Sequence, residues 1–112
     1  MKKIIFYSYL KCSTCRKAEK WLKSKDLDFQ LIDIVKEPPL VKFLKLALKQ
    51  YADNKKKIFN TRGKAFKTLN IDINGLSREE IIQLLLSNGK LIKRPFLIYE
   101  GKKVILLSLI HI

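Results

Sequence analysis

Strand, helix and strand follow one another within the first 34 residues, and that order constrains the fold more than any other feature of the chain. Lys3-Ile4-Ile5-Phe6-Tyr7 is short, apolar and rich in β-formers. After a brief loop, Thr14 to Lys25 takes up a helical period, with Cys15, Ala18 and Leu22 on one apolar stripe and Trp21 beside it. Residues 27–34 return to a strand pattern that sets Leu27, Phe29 and Leu31 on one face. A crossover helix joining two strands of one sheet makes them parallel and right-handed.

The two cysteines of the chain, Cys12 and Cys15, fall at the first junction of that unit. Cys12 lies at or just before the helix N-terminus, where unpaired backbone N–H groups and the helix dipole favour negative charge. Lys11, Arg16 and Lys17 add cations nearby, and such surroundings lower a thiol pKa. Cys12 is therefore the expected nucleophile, with Lys11 and Arg16 stabilising its thiolate. Cys15, one turn in and on the apolar stripe, is the expected resolving thiol. A structural zinc site wants four ligands. Two cysteines and a remote His111 do not complete one within the chain, so no metal is expected. Two inert thiols in a reducing compartment stand as the other reading.

Further along, Pro38-Pro39 breaks the chain and opens a helix at about residue 40, striped by Leu40, Leu44, Ala47, Leu48 and Tyr51. Residues 52–57 read as a polar, lysine-rich loop, Ile58-Phe59 as a return to the core, and Thr61 to Leu69 as a short helix. Ser77-Arg78-Glu79-Glu80 is a capping box. It begins a helix carrying Ile81, Ile82, Leu84 and Leu85 that stops near Asn88-Gly89. Phe96 to Tyr99 and Val104 to Leu107 pair as a hairpin across Glu100-Gly101-Lys102. The order β-α-β, helices, β-β predicts an α/β fold, a small four-stranded mixed sheet, with a helical insertion over about 39–90. Residues 1–112 form one domain.

With 47% hydrophobic residues the chain can build a core without disulfide staples. It shows neither a signal-peptide pattern nor an apolar run of membrane-spanning length, which points to a cytoplasmic protein with no membrane partner. In that compartment a lone cysteine pair is more often catalytic or redox-sensing than structural. The formal charge of +14 reflects 24 Lys and Arg against 10 Asp and Glu. The lysines are spread along the chain, only Lys55-Lys56-Lys57 is a tight cluster, and no aromatic platform for bases is visible. A solvated basic surface therefore explains the charge better than direct nucleic-acid binding does.

The stretch Tyr9-Leu10-Lys11-Cys12-Ser13-Thr14-Cys15-Arg16-Lys17-Ala18 with Trp21-Leu22 resembles the signature of the ArsC/Spx family. Asp33-Ile34 before Pro38-Pro39, Phe59-Asn60-Thr61-Arg62-Gly63-Lys64, and Leu91-Ile92-Lys93-Arg94-Pro95 before a strand are similar to it in the same order. The resemblance, which runs to about residue 105, implies a thioredoxin-like fold. It makes Cys12 the catalytic or sensing cysteine and Cys15 the second cysteine of the Cys-x-x-Cys members. It makes Arg94 an oxyanion-binding arginine, and Pro95 a proline with a cis peptide bond. It implies no cofactor. Glutathione, glutaredoxin or thioredoxin supplies electrons to an arsenate reductase-like thiol–disulfide oxidoreductase. In the alternative Spx-type reading, the cysteine pair is a switch that governs contacts with the RNA polymerase α subunit.

The departures matter too. Arsenate reductases surround the oxyanion with three arginines, and only Arg94 matches one clearly; Asn60 occupies a second place, with Arg62 two residues on. That pattern argues against arsenate as substrate and leaves thiol–disulfide chemistry intact. The family's C-terminal helix is missing from the reading. Apolar residues dominate Val104 to Ile112 instead, which predicts self-association through residues 104–112.

Overall fold

A computed structural model describes residues 3–106. Strand β1 (Ile4–Ser8) lies inside the sheet, with β2 (Gln30–Asp33) parallel on one side and β3 (Phe96–Tyr99) antiparallel on the other; β4 (Lys103–Leu106) pairs antiparallel with β3. The four-stranded order β2-β1-β3-β4 is the mixed sheet that the sequence order implies. Between β1 and β2 runs helix α1 (Ser13–Ser24). Helices α2 (Val41–Gln50), α3 (Lys64–Leu69) and α4 (Arg78–Ser87) lie between β2 and β3.

Alternation along the strands feeds two separate cores. Phe6, Leu97 and Ile4 point to one face and pack on Cys15, Ala18 and Leu22 of α1. Tyr7, Phe96, Ile98 and Val104 point to the other and meet α2 and α4. Removing side chains of this size from water stabilises the fold by about 1.5–3 kcal/mol each. No helix among the described residues is long and apolar enough to cross a membrane.

The local signals mostly appear where the residues place them. Ser77 and Glu80 form the reciprocal cap of α4, with the Ser77 Oγ accepting from the Glu80 N–H at 3.2 Å and the Ser77 N–H donating to Glu80 at 2.9 Å. The β3–β4 turn carries positive φ at Glu100 (52°) and Gly101 (69°), the mirror-image turn that matches strand twist.

Other expectations need correction. Strand β2 covers four residues at the edge of the sheet, and Leu31 is 52% exposed whereas Leu27 and Phe29 are partly buried against the α1 core. The prolines precede α2, whose N-cap is Leu40; Phe43, not Leu40, belongs to its buried stripe. Lys55–Ile58 forms a 3-10 turn instead of an open loop. Helix α4 stops at Asn88 as expected, and the Asn88 side chain accepts the Lys90 N–H to cap the turn that follows; Gly89 is required by packing, since a Cβ there would overlap the Ile34 carbonyl. Residues 107–112 of the apolar C-terminal segment lie outside the described residues.

Candidate functional site

Cys12 is the N-cap of α1 and has extended backbone angles, φ −98° and ψ 112°. Serine, threonine or aspartate usually fills that position, because a side-chain acceptor there satisfies an orphan N–H of the first turn. Here the acceptor is sulfur: the Cys15 N–H donates to the Cys12 Sγ at 3.2 Å. The Cys12 N–H in turn donates to the Tyr9 carbonyl at 3.0 Å, which fixes the loop that delivers the thiol to the helix. Cys12 is half-buried and Cys15 wholly buried, and both thiols are free.

The hydrogen bond between the two thiols, more than burial, separates their titrations. The Cys15 thiol, hydrogen-bonded to the Cys12 sulfur, is the largest influence holding Cys12 down to about 6, against the opposing effect of burial. The Cys15 backbone N–H, the Arg94 charge and the Thr14 N–H add to the depression. Cys15 is driven far above the ordinary thiol range by its hydrogen bond to Cys12, by burial and by the Cys12 charge. At neutral pH the pair is therefore a thiolate at position 12 beside a protonated thiol at position 15.

Arg94 reaches the site from the segment before β3 and is joined to Pro95 by a cis peptide bond. The Arg94 guanidinium carbon lies over the Tyr9 ring, 4.9 Å from its centroid. Its Nη1 is buried and has no hydrogen-bond acceptor among the described residues. A buried charged donor without a partner is costly, so the position suits an anionic ligand that would satisfy it.

The sequence-predicted residues thus divide. Cys12, Cys15 and Arg94 converge, and Pro95 follows Arg94 across a cis peptide bond. Lys11 and Arg16 are exposed, and neither is among the groups that lower the Cys12 thiol. Asn60 is engaged elsewhere: its backbone N–H donates to the Leu91 carbonyl at 2.8 Å, beside the Phe59–Ile92 bridge. Arg62 is exposed. Two contributors had no role in the sequence reading. Ser8 hydrogen-bonds through its side chain to Cys15 and opposes the upward push on that thiol, while Tyr9 touches Arg94. Their place immediately before a reactive Cys-x-x-Cys was the only available signal. Among the described residues no cluster of three His, Cys, Asp or Glu side chains could hold a metal.

The model of the ArsC family matches residues 7–106. The chain belongs to the ArsC family. It is 36% identical over 99 residues to the global transcriptional regulator Spx of Lactiplantibacillus plantarum, covering 88% of this chain and 75% of that one. It is 35% identical to the regulatory protein MgsR of Bacillus subtilis, over 91% of this chain and 81% of the relative. A solved structure described as a possible arsenate reductase from Streptococcus mutans UA159 superposes with a TM-score of 0.84 at 40% identity, covering 91% and 87% of the two chains. The mixed sheet is thus the thioredoxin-like fold of this family, which contains both regulators and reductase-like proteins.

Proposed function

We propose that this chain is a thiol–disulfide oxidoreductase of the arsenate reductase-like type, acting in a reducing cytoplasm. The observation that carries the reading is the Cys12 sulfur at the N-cap of α1, accepting from the Cys15 N–H at 3.2 Å, with the Cys15 thiol buried behind it. Cys12 thiolate attacks a substrate disulfide, forming one mixed disulfide and expelling one substrate thiolate. Cys15 then loses its proton and attacks the Cys12 sulfur, which releases the second substrate thiolate. The substrate gains two electrons and the protein retains a Cys12–Cys15 disulfide. Two glutathione molecules, or a dithiol protein such as glutaredoxin or thioredoxin, restore the reduced pair. Arg94 and the backbone at Pro95 form the anion-binding side of the site, and no cofactor is needed.

A second reading has specific support, since the relatives at 35–36% identity are a global transcriptional regulator and a regulatory protein. In it the same pair is a switch whose oxidation alters contact with the RNA polymerase α subunit. One comparison separates the two. Reduced and oxidised protein are tested for capture of the polymerase α C-terminal domain, and in parallel for disulfide and arsenate turnover with glutaredoxin and with thioredoxin. Turnover of a disulfide without capture is expected for the oxidoreductase. Redox-dependent capture without turnover overturns it in favour of the regulator. Failure of the chain to form a Cys12–Cys15 disulfide under any glutathione ratio removes both.

A further inference from the structure

Tyr9 meets each of the three groups at the centre of the site. Its carbonyl accepts the Cys12 N–H at 3.0 Å, its backbone N–H is directed at the Cys15 sulfur, and its ring lies 4.9 Å from the Arg94 guanidinium carbon. Arg94 needs such a contact. Among the described residues it forms no ion pair, and its Nη1 is buried without an acceptor. A guanidinium with no hydrogen bond to the protein at that nitrogen is otherwise free to rotate about its long side chain. Stacking on an aromatic face limits that rotation, and the attraction strengthens as water is excluded.

We propose that Tyr9 is a positioning residue for Arg94: its ring covers one face of the guanidinium and leaves the in-plane N–H edge as the approach for an anion next to Cys12. The inference rests on the oxidoreductase reading of the site and deepens it. A ligand that meets the guanidinium edge-on presents two oxygens in one plane, as a carboxylate or one edge of a tetrahedral oxyanion does. The chemistry selected is thus an anionic group carried next to the sulfur that Cys12 attacks. A glutathione carboxylate and a free oxyanion share this chemistry. Cys15 on α1 is the other titratable group that acts on the thiol, while Lys11 and Arg16, close to it in sequence, are exposed.

The test is the pH profile of Cys12 alkylation by iodoacetamide in the full chain, with sulfate or S-methylglutathione, which carries the glutathione carboxylates without a disulfide, as competing anions. Tyr9→Leu is expected to raise the midpoint by about half a pH unit, roughly a twofold loss of rate at pH 6. It is also expected to require roughly fivefold more sulfate or S-methylglutathione for the same protection. Tyr9→Phe, which keeps the ring, restores both. In an Arg94→Met background, Tyr9→Leu should have no further effect, because a residue that acts through another loses its influence with it. Tyr9→Gln serves the same purpose should the leucine variant not fold. The proposal is overturned by a Tyr9→Leu or Tyr9→Gln profile that matches the wild type, by Tyr9→Phe behaving like Tyr9→Leu, or by an undiminished effect in the Arg94→Met background. A wild-type midpoint in the ordinary thiol range is a different failure, which sinks the oxidoreductase reading together with this inference. Protection by sulfate alone assigns the edge to a free oxyanion, and protection by S-methylglutathione alone to a carboxylate; either supports the role of Tyr9 when Tyr9→Leu weakens it.

Discussion

A single sulfur in place of the usual N-cap oxygen decides much of the chemistry here, and its dependence on neighbours can be ranked. Because the Cys15 thiol is the largest influence on Cys12 and the Arg94 charge a smaller one, Cys15→Ala should raise the Cys12 midpoint further than Arg94→Met does. Thiolate absorbance near the ultraviolet edge, followed against pH, checks the order. The same depression has a consequence for stability. Cys12 titrates near 6 in the folded chain, below the ordinary thiol at about 8.5 in the unfolded one. An acid depressed by folding contributes stability that is fully present above its unfolded pKa and is lost as pH falls through its folded pKa. The wild type should therefore gain urea resistance relative to Cys12→Ser as pH rises from about 6 to about 8.5, and show no such gain below pH 5. Equal midpoints for the two proteins at pH 5 and pH 9 would contradict the assignment.

At the scale of elements, short polar contacts govern how helices and edges are finished. The Gln50 side chain at the end of α2 takes both outward-facing backbone groups of Val104: it accepts from the Val104 N–H at 2.6 Å and donates to its carbonyl at 2.9 Å. This contact closes one position of the β4 edge, which would otherwise offer an N–H and a C=O to another strand. Gln50→Ala should cost about 1–2 kcal/mol and increase self-association, read as a concentration-dependent sedimentation coefficient. A monomer as clean as the wild type would show that β4 is protected by other means. The cap of α4 is a smaller effect, and Ser77→Ala should lower stability by about 1 kcal/mol in denaturant unfolding.

Across the whole molecule, the sheet keeps its two cores apart, so damage to one should spare the chemistry of the other. Ile81 on α4 is fully buried on the face opposite α1. Ile81→Ala should destabilise by about 2–5 kcal/mol in urea while leaving the Cys12 alkylation profile in place. A shifted profile would mean that the two layers are coupled. The charge also acts globally. Lys23–Glu19, at 3.0 Å, is the one ion pair among the described residues of a chain with a formal charge of +14. Self-repulsion is then poorly compensated. Raising sodium chloride from about 0.01 to about 0.1 M shortens the screening length from about 30 to about 10 Å, and the Tm should rise.

The chain by itself determined the order of elements, the parallel β1–β2 unit, the capping box at Ser77 and the hairpin turn at Gly101, because each follows from local periodicity or local hydrogen bonding. It also marked Cys12 and Cys15, since an N-terminal helical position acts on a thiol through neighbours a few residues away. What it left open depends on contacts between distant segments. The lysines and arginine adjacent to Cys12 in sequence point into solvent, while Arg94, far along the chain, supplies the charge that Cys12 responds to. Gly89 reads as a helix stop, yet packing against the Ile34 carbonyl is what requires it. Leu31 and Leu40 look like core residues and are exposed, because exposure depends on which layer covers a face. Only the tertiary structure sets Arg94 over the Tyr9 ring, since it alone brings the loop after β1 against the loop before β3.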